Sequence, residues 1–129
     1  MRLTESFPIE IRLTPDFRKQ VRKLEKRYRK IQSDLQPILM QIQMGEIIGD
    51  RVQGIDAEVF KVRIRNSDIN RGKSGGYRMI YWLKLSECVV LLDIYSKSDR
   101  DDIEIGTIQN IINEFVDIDE VFTDLENLD

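Results

Sequence analysis

The chain has no histidine, and Cys88 is its only cysteine among 129 residues. Histidine is the usual proton carrier near neutral pH, and with cysteine it supplies most transition-metal ligands; their scarcity argues against a zinc site and against imidazole catalysis. A lone cysteine also rules out an intramolecular disulfide, so Cys88 reads as a small buried hydrophobe. No apolar run approaches the roughly 18 residues of a membrane helix, so no membrane partner is expected. Residues 1–8 lack the basic start and apolar block of a secretory signal, which gives a cytoplasmic address as the expectation. Acid–base chemistry, if present, falls to Lys, Arg, Tyr, Asp or Glu.

Basic residues are missing from 101–129, where ten acids stand without one Lys or Arg. Residues 12–30 show the opposite bias, with nine basic residues against two acids, and 61–100 hold nine against four. The formal net charge of −3 therefore hides two basic blocks and an acidic end, and affinity for an anion must be local. Hydrophobic residues at 41% and charged residues at 33% suit a soluble globular chain. The length suits one domain over 1–129, with an acidic extension at 117–129.

Pro8 to Thr14 alternates, with Ile9, Ile11 and Leu13 on one side, which predicts a first strand. Thr14 then suits an N-cap and Pro15 a first helical position; Phe17, Val21, Leu24, Tyr28, Ile31 and Leu35 recur at helical steps. Because Pro37 is tolerated only in a first turn, Ser33-Asp34 is read as a break, followed by a second helix through Ile38, Leu39 and Ile42 to Gly45. Glu46 to Asp56 reads as a connecting loop. Three strands follow, about Val59–Arg65, Tyr77–Lys84 and Cys88–Ser96, expected to pair as an antiparallel meander. Ser98 with Asp101 resembles a capping box, placing Asp101, Asp102 and Glu104 in the first turn of a third helix through Ile105, Ile108, Ile111, Ile112 and Phe115. Val116 to Asp129 either docks as a short helix or stays mobile.

The meander carries the chemistry. In Phe60-Lys-Val-Arg-Ile-Arg65, strand rhythm puts Lys61, Arg63 and Arg65 on one face and Phe60, Val62 and Ile64 on the other. One cationic face and one core face are expected. Like charges side by side repel, so such a face needs either solvent or an anionic ligand to account for it. Arg78 on the next strand shares a face with Ile80 and Trp82 and is placed to converge with Lys61 or Arg63 on one phosphate, although Trp82 on that face can equally mark a second small core. Tyr95 and Lys97 close the last strand, the tyrosine suited to stacking a base or to packing, the lysine to reaching a phosphate. Gly72-Lys73-Ser74 only echoes a phosphate-binding loop, because Ser67 stands where the first glycine is required and a strand follows. Asp99, Asp101 and Ile103 miss a calcium loop at the third ligand.

RNA brings its own nucleophile, the 2′-hydroxyl, so cleavage needs a base, cations for the phosphoryl oxygens and an acid for the leaving oxygen, and no metal. Lys61 among Arg63, Arg65 and Arg78 is the expected base, since neighbouring cations favour a neutral amine. Arg78, assisted by Arg63, would hold the phosphorane, and Lys97 or Tyr95 would serve the leaving group.

Phe60-Lys-Val-Arg63, Arg71-Gly-Lys-Ser-Gly-Gly-Tyr-Arg78 and Asp93-Ile-Tyr-Ser-Lys97, in the order strand, helix hairpin, meander, helix, resemble the RelE/ParE superfamily of toxins from type II toxin–antitoxin systems, in its RelE and HigB branch. The resemblance covers about residues 8–112. It implies an α+β fold: a mostly antiparallel four-stranded sheet, an N-terminal helix hairpin on one face, a C-terminal helix, and a basic groove. It also implies a toxin that cleaves mRNA on the ribosome without a cofactor and is held inactive by a cognate antitoxin. Lys61, Arg63 and Arg78 match the family's basic positions; beside these three, the residues' own placement adds Lys97 as a fourth catalytic candidate and Arg65, Arg71, Lys73 and Tyr95 as candidate RNA contacts. The family's Lys-Arg pair after the last strand is Lys97-Ser98 here, and Ile103-Glu104 stands where a tyrosine is expected. Those departures leave two alternatives: a toxin that inhibits a protein such as DNA gyrase without chemistry, as the ParE branch does, or an inactive binding homologue. The acidic end can cover the groove as an RNA mimic or offer Phe122, Leu125 and Leu128 to a partner.

Overall fold

A computed structural model describes residues 9–69, 75–85 and 88–126. The elements run β1 (Glu10–Leu13), α1 (Pro15–Glu25), α2 (Ile31–Gln43), β2 (Asp50–Arg51), β3 (Val59–Ile64), β4 (Tyr77–Leu85), β5 (Cys88–Ser96) and α3 (Ile105–Glu126). The strands form one five-stranded sheet in the order β1-β5-β4-β3-β2. β2 to β5 pair antiparallel in sequence order, and β1 lies parallel to β5. The fold is therefore α+β, but with a mixed sheet and an added two-residue edge strand inside what the sequence suggested was only a loop. Among the described residues no helix is long and apolar enough to cross a membrane.

Thr14 ties the first crossover down. Its hydroxyl accepts the Phe17 N–H at 3.0 Å, capping α1, and lies 3.0 Å from the carbonyls of both Leu91 and Leu92 on β5. The helix hairpin breaks earlier than its proline suggested: α1 ends at Glu25, and α2 runs from Ile31 with Pro37 in its interior. An interior proline loses one helical hydrogen bond. The loop before β4 compensates by fixing the start of α2, Asp68 accepting the Lys30 N–H and Asp34 accepting the Ser67 N–H, each at 2.9 Å. Ile31, Leu35 and Ile42 on α2 are buried, so packing holds the helix through the proline.

Both faces of the sheet are covered. Phe17, Leu24, Ile31, Leu35 and Ile42 from the hairpin pack on Val62, Ile64, Tyr77, Met79, Tyr81, Val89, Leu91 and Ile94. On the other face, Ile108, Ile111, Ile112 and Phe115 of α3 pack on Val59, Ile80, Val90 and Leu92, with Trp82 at the margin. Every residue of β5 is buried, which is why Cys88-Val-Val-Leu-Leu92 reads as a continuous apolar run rather than an alternating one. The expectation of one core face and one cationic face is corrected accordingly: α3 makes a second core, and the cations occupy only the part of that face it leaves open.

Candidate functional site

The alternation in β3 falls as expected, with Val62 and Ile64 in the hairpin core and Lys61 and Arg63 on the opposite side, shared with Val59. β4 follows in register: Arg63 stands opposite Arg78, and Lys61 opposite Ile80. Arg63 and Arg78 are thus direct cross-strand neighbours on one face, with Lys61 one step along and diagonal to Arg78. Gly76 makes this approach possible, because a Cβ there would sit 2.2 Å from the Ile64 carbonyl oxygen.

The third strand joins the site through a β-bulge. Tyr81 pairs with Leu91 but Ile80 pairs with Asp93, so Leu92 is an extra residue and the alternation of β5 resets after it. Unbroken alternation from Val90 and Leu92 would have put Ile94 on the α3 side. With the bulge, Ile94 joins the hairpin core, and Tyr95 lies opposite Arg78 on the cationic face. Arg63, Arg78 and Tyr95 consequently form one row across β3, β4 and β5.

Arg78 is only 7% exposed, yet its guanidinium makes one hydrogen bond, from Nη1 to the Tyr77 carbonyl at 3.1 Å, and no ion pair among the described residues. Burial, then the charge of Arg63, lower its proton affinity, while Tyr95 opposes them. Arginine remains charged under such shifts, so a nearly buried cation faces another cation with no acid paired to it among the described residues. Tyr95 is buried, with the Arg100 guanidinium 5.0 Å from its ring centroid and its hydroxyl 3.5 Å from Asp102 Oδ1. Burial first, and the charge of Asp102 next, push its phenol up to about 12, so the hydroxyl stays protonated and acts as a donor. Its ring, covered by Arg100, is placed for packing rather than for stacking a base.

Lys61 is not surrounded by cations alone, which corrects the setting expected for a lysine base. Its Nζ donates to Asp102 Oδ1 at 2.9 Å, and Asp50 stands opposite it on β2. Asp102 also accepts the Ile103 N–H at 2.8 Å, and the hydrogen bond from Lys61, then that from Ile103, hold its carboxyl below the usual range. Asp102 was expected in the first turn of a helix; α3 instead starts at Ile105, and residues 97–104 form a loop along the cationic row. In that loop Lys97 Nζ donates to the Asp101 carbonyl at 2.6 Å, Arg27 pairs with Asp99, and Arg100 Nη1 donates to Asp93 Oδ2 at 3.2 Å. Ser98 caps no helix; its hydroxyl lies 2.9 Å from that of Ser96.

Asp50, Lys61, Asp102, Ile103 and Ile108 line a cleft of about 370 Å³ beside this row. Arg65 is exposed just past the end of β3, while Arg71 and Lys73 lie outside the described residues. The side chains of Phe122, Leu125 and Leu128 lie outside them as well, although α3 carries the chain as helix to Glu126. Asp102 and Arg100 are the residues that sequence reasoning missed. Their only signal was an acid and a base within seven residues of Tyr95. Compared with known proteins, the chain matches no family model and no curated protein.

Proposed function

We propose that this chain is a RelE/HigB-like toxin of a type II toxin–antitoxin system, an endoribonuclease that cleaves mRNA on the ribosome without a metal or cofactor and is restrained by a cognate antitoxin. The observation that carries this reading is the pairing of Arg63 with Arg78, the second nearly buried and without a carboxylate partner among the described residues. Folding gains nothing from setting two guanidinium groups abreast, whereas a phosphodiester uses both. Arg78 and Arg63 hold the non-bridging oxygens and stabilise the phosphorane. Lys61 must first release Asp102 and give its ammonium proton to solvent; as the neutral amine it then takes the proton of the 2′-hydroxyl as that oxygen attacks phosphorus. The 5′-oxygen leaves and takes a proton delivered from Lys97, and Tyr95 donates a hydrogen bond to the phosphoryl group. The products are a 2′,3′-cyclic phosphate and a 5′-hydroxyl end.

A second reading, inhibition of a protein such as DNA gyrase, is favoured by Ser98 in place of the second arginine of the ribonucleases and by the missing tyrosine at 103–104. Expression of the chain and of Arg63→Ala in cells, with mapping of mRNA 5′ ends, separates the readings. Arg63 is exposed, so its removal leaves the fold intact. New 5′-hydroxyl ends in coding regions, reduced about 10²-fold or more by Arg63→Ala, are expected for a phosphate-stabilising arginine. Growth arrest with intact transcripts would favour gyrase, and no arrest would leave a binding module.

A further inference from the structure

We infer that Asp102 is a built-in stand-in for one oxygen of the RNA phosphate: its carboxylate sits where Lys61 and Tyr95 meet at the edge of the cationic row, and a phosphate oxygen enters there by displacing it. The inference rests on the ribonuclease reading only for the identity of the natural ligand. Three donors meet on the single oxygen Asp102 Oδ1: Lys61 Nζ at 2.9 Å, the Ile103 N–H at 2.8 Å and the Tyr95 hydroxyl at 3.5 Å. A non-bridging phosphate oxygen takes the same donors in the same geometry. The carboxylate fills the Lys61 end of the row only. Arg78, beside Tyr95 on β4, and Arg63, one strand further on β3, make no ion pair among the described residues.

The surroundings make this contact a replaceable one. The Asp102 side chain is 65% exposed and that of Lys61 33%, so their pair is a surface pair of small worth. The backbone on either side is held independently of it. Ile103 is buried in the second core, Arg100 reaches Asp93, Asp99 pairs with Arg27, and Lys97 binds the Asp101 carbonyl. Rotation of one side chain about its Cα–Cβ bond therefore empties the seat without moving α3 or the loop. The Ile103 N–H, part of that fixed backbone, stays in place for the incoming oxygen. A carboxylate kept only for folding has no need of this arrangement at the one point where Lys61 and Tyr95 converge.

Inorganic phosphate, titrated by NMR at fixed low salt into the wild type, Asp102→Asn and Asp101→Asn, tests the inference. Asp101 is an exposed acid next in sequence whose side chain is outside the seat, so it controls for a general change of charge. Removing the competing charge at 102 is expected to tighten phosphate binding about three- to thirty-fold, and the change at 101 to alter it by less than about two-fold. Unchanged or weaker binding by Asp102→Asn, an equal gain from Asp101→Asn, or no phosphate binding by any of the three proteins overturns it. A parallel titration with a 2′-O-methyl RNA oligonucleotide separates the two ideas. Tighter phosphate binding without any affinity for RNA sinks the ribonuclease reading and leaves the seat standing; tighter binding of both supports the two together.

Discussion

Arg78→Met should make the protein more stable while sharply reducing the proposed RNA cleavage. Methionine keeps most of the aliphatic stem and removes the guanidinium of a residue that is 7% exposed, stands opposite Arg63 across the strand pair and, among the described residues, hydrogen-bonds only to the Tyr77 carbonyl. Loss of that charge-assisted hydrogen bond costs about 1.5–3 kcal/mol. Against it stand the desolvation of an unneutralised cation, several kcal/mol in real proteins, and the repulsion from Arg63, both of which the variant removes. A net gain of about 1 kcal/mol follows, or roughly 3–5 °C in Tm for a chain of this size. Urea melts with unchanged slope should show the higher midpoint, and RNA cleavage should fall about 10²–10³-fold, the loss typical of a missing oxyanion donor. Destabilisation by more than about 2 kcal/mol would refute the reasoning, because it would make Arg78 a structural residue whose burial the fold requires.

Three further outcomes follow from the packing and the titrating groups. Ile108→Ala should cost about 2–5 kcal/mol in denaturant melts, since Ile108 is buried where α3 makes the second core; a loss below about 1 kcal/mol would mean that α3 does not seal that face. Gly76→Ala should lower both the urea midpoint and phosphate affinity, because the new Cβ would meet the Ile64 carbonyl oxygen at 2.2 Å and push β4 from β3 just before Arg78; unchanged phosphate binding would detach the site from that close approach. Asp93 is nearly buried, and burial raises its carboxyl above the ordinary range despite the Ile94 N–H and Arg100. Its folded value lies above its unfolded one, so the folded chain binds the extra proton, and Asp93 weakens the fold as pH rises from about 4 through that raised value. Asp93→Asn should therefore have a more favourable Tm relative to wild type at pH 7 than at pH 4.5, and an equal difference at both would refute this.

How much of this was legible in the sequence depended on whether local signals sufficed. Thr14-Pro15 announced the start of α1, and the two-residue rhythm of Phe60 to Ile64 placed Lys61 and Arg63 on one face, because capping and strand alternation are local. Pro37 misled, since a proline penalty is overridden where Ile31, Leu35 and Ile42 are buried and the loop at 66–69 fixes the helix start. The bulge at Leu92 was invisible to a period-two reading. Its one trace was Asp93 inside an apolar run, and it decides that Tyr95 joins Arg78. Asp102 was misplaced for a similar reason. Acids ahead of an apolar stripe look like the first turn of a helix, and only the fold shows that the chain crosses Lys61 before Ile105 begins α3.

The central claim is that cations from adjacent strands surround a single phosphodiester. NMR titration of a non-cleavable RNA dinucleotide, read at the side-chain nitrogens of Lys61, Arg63 and Arg78, addresses it directly. Saturable shifts at these three groups, with no comparable shift along the basic residues of α1, are the predicted result. Shifts confined to α1, with Arg63 and Arg78 unmoved, would contradict it.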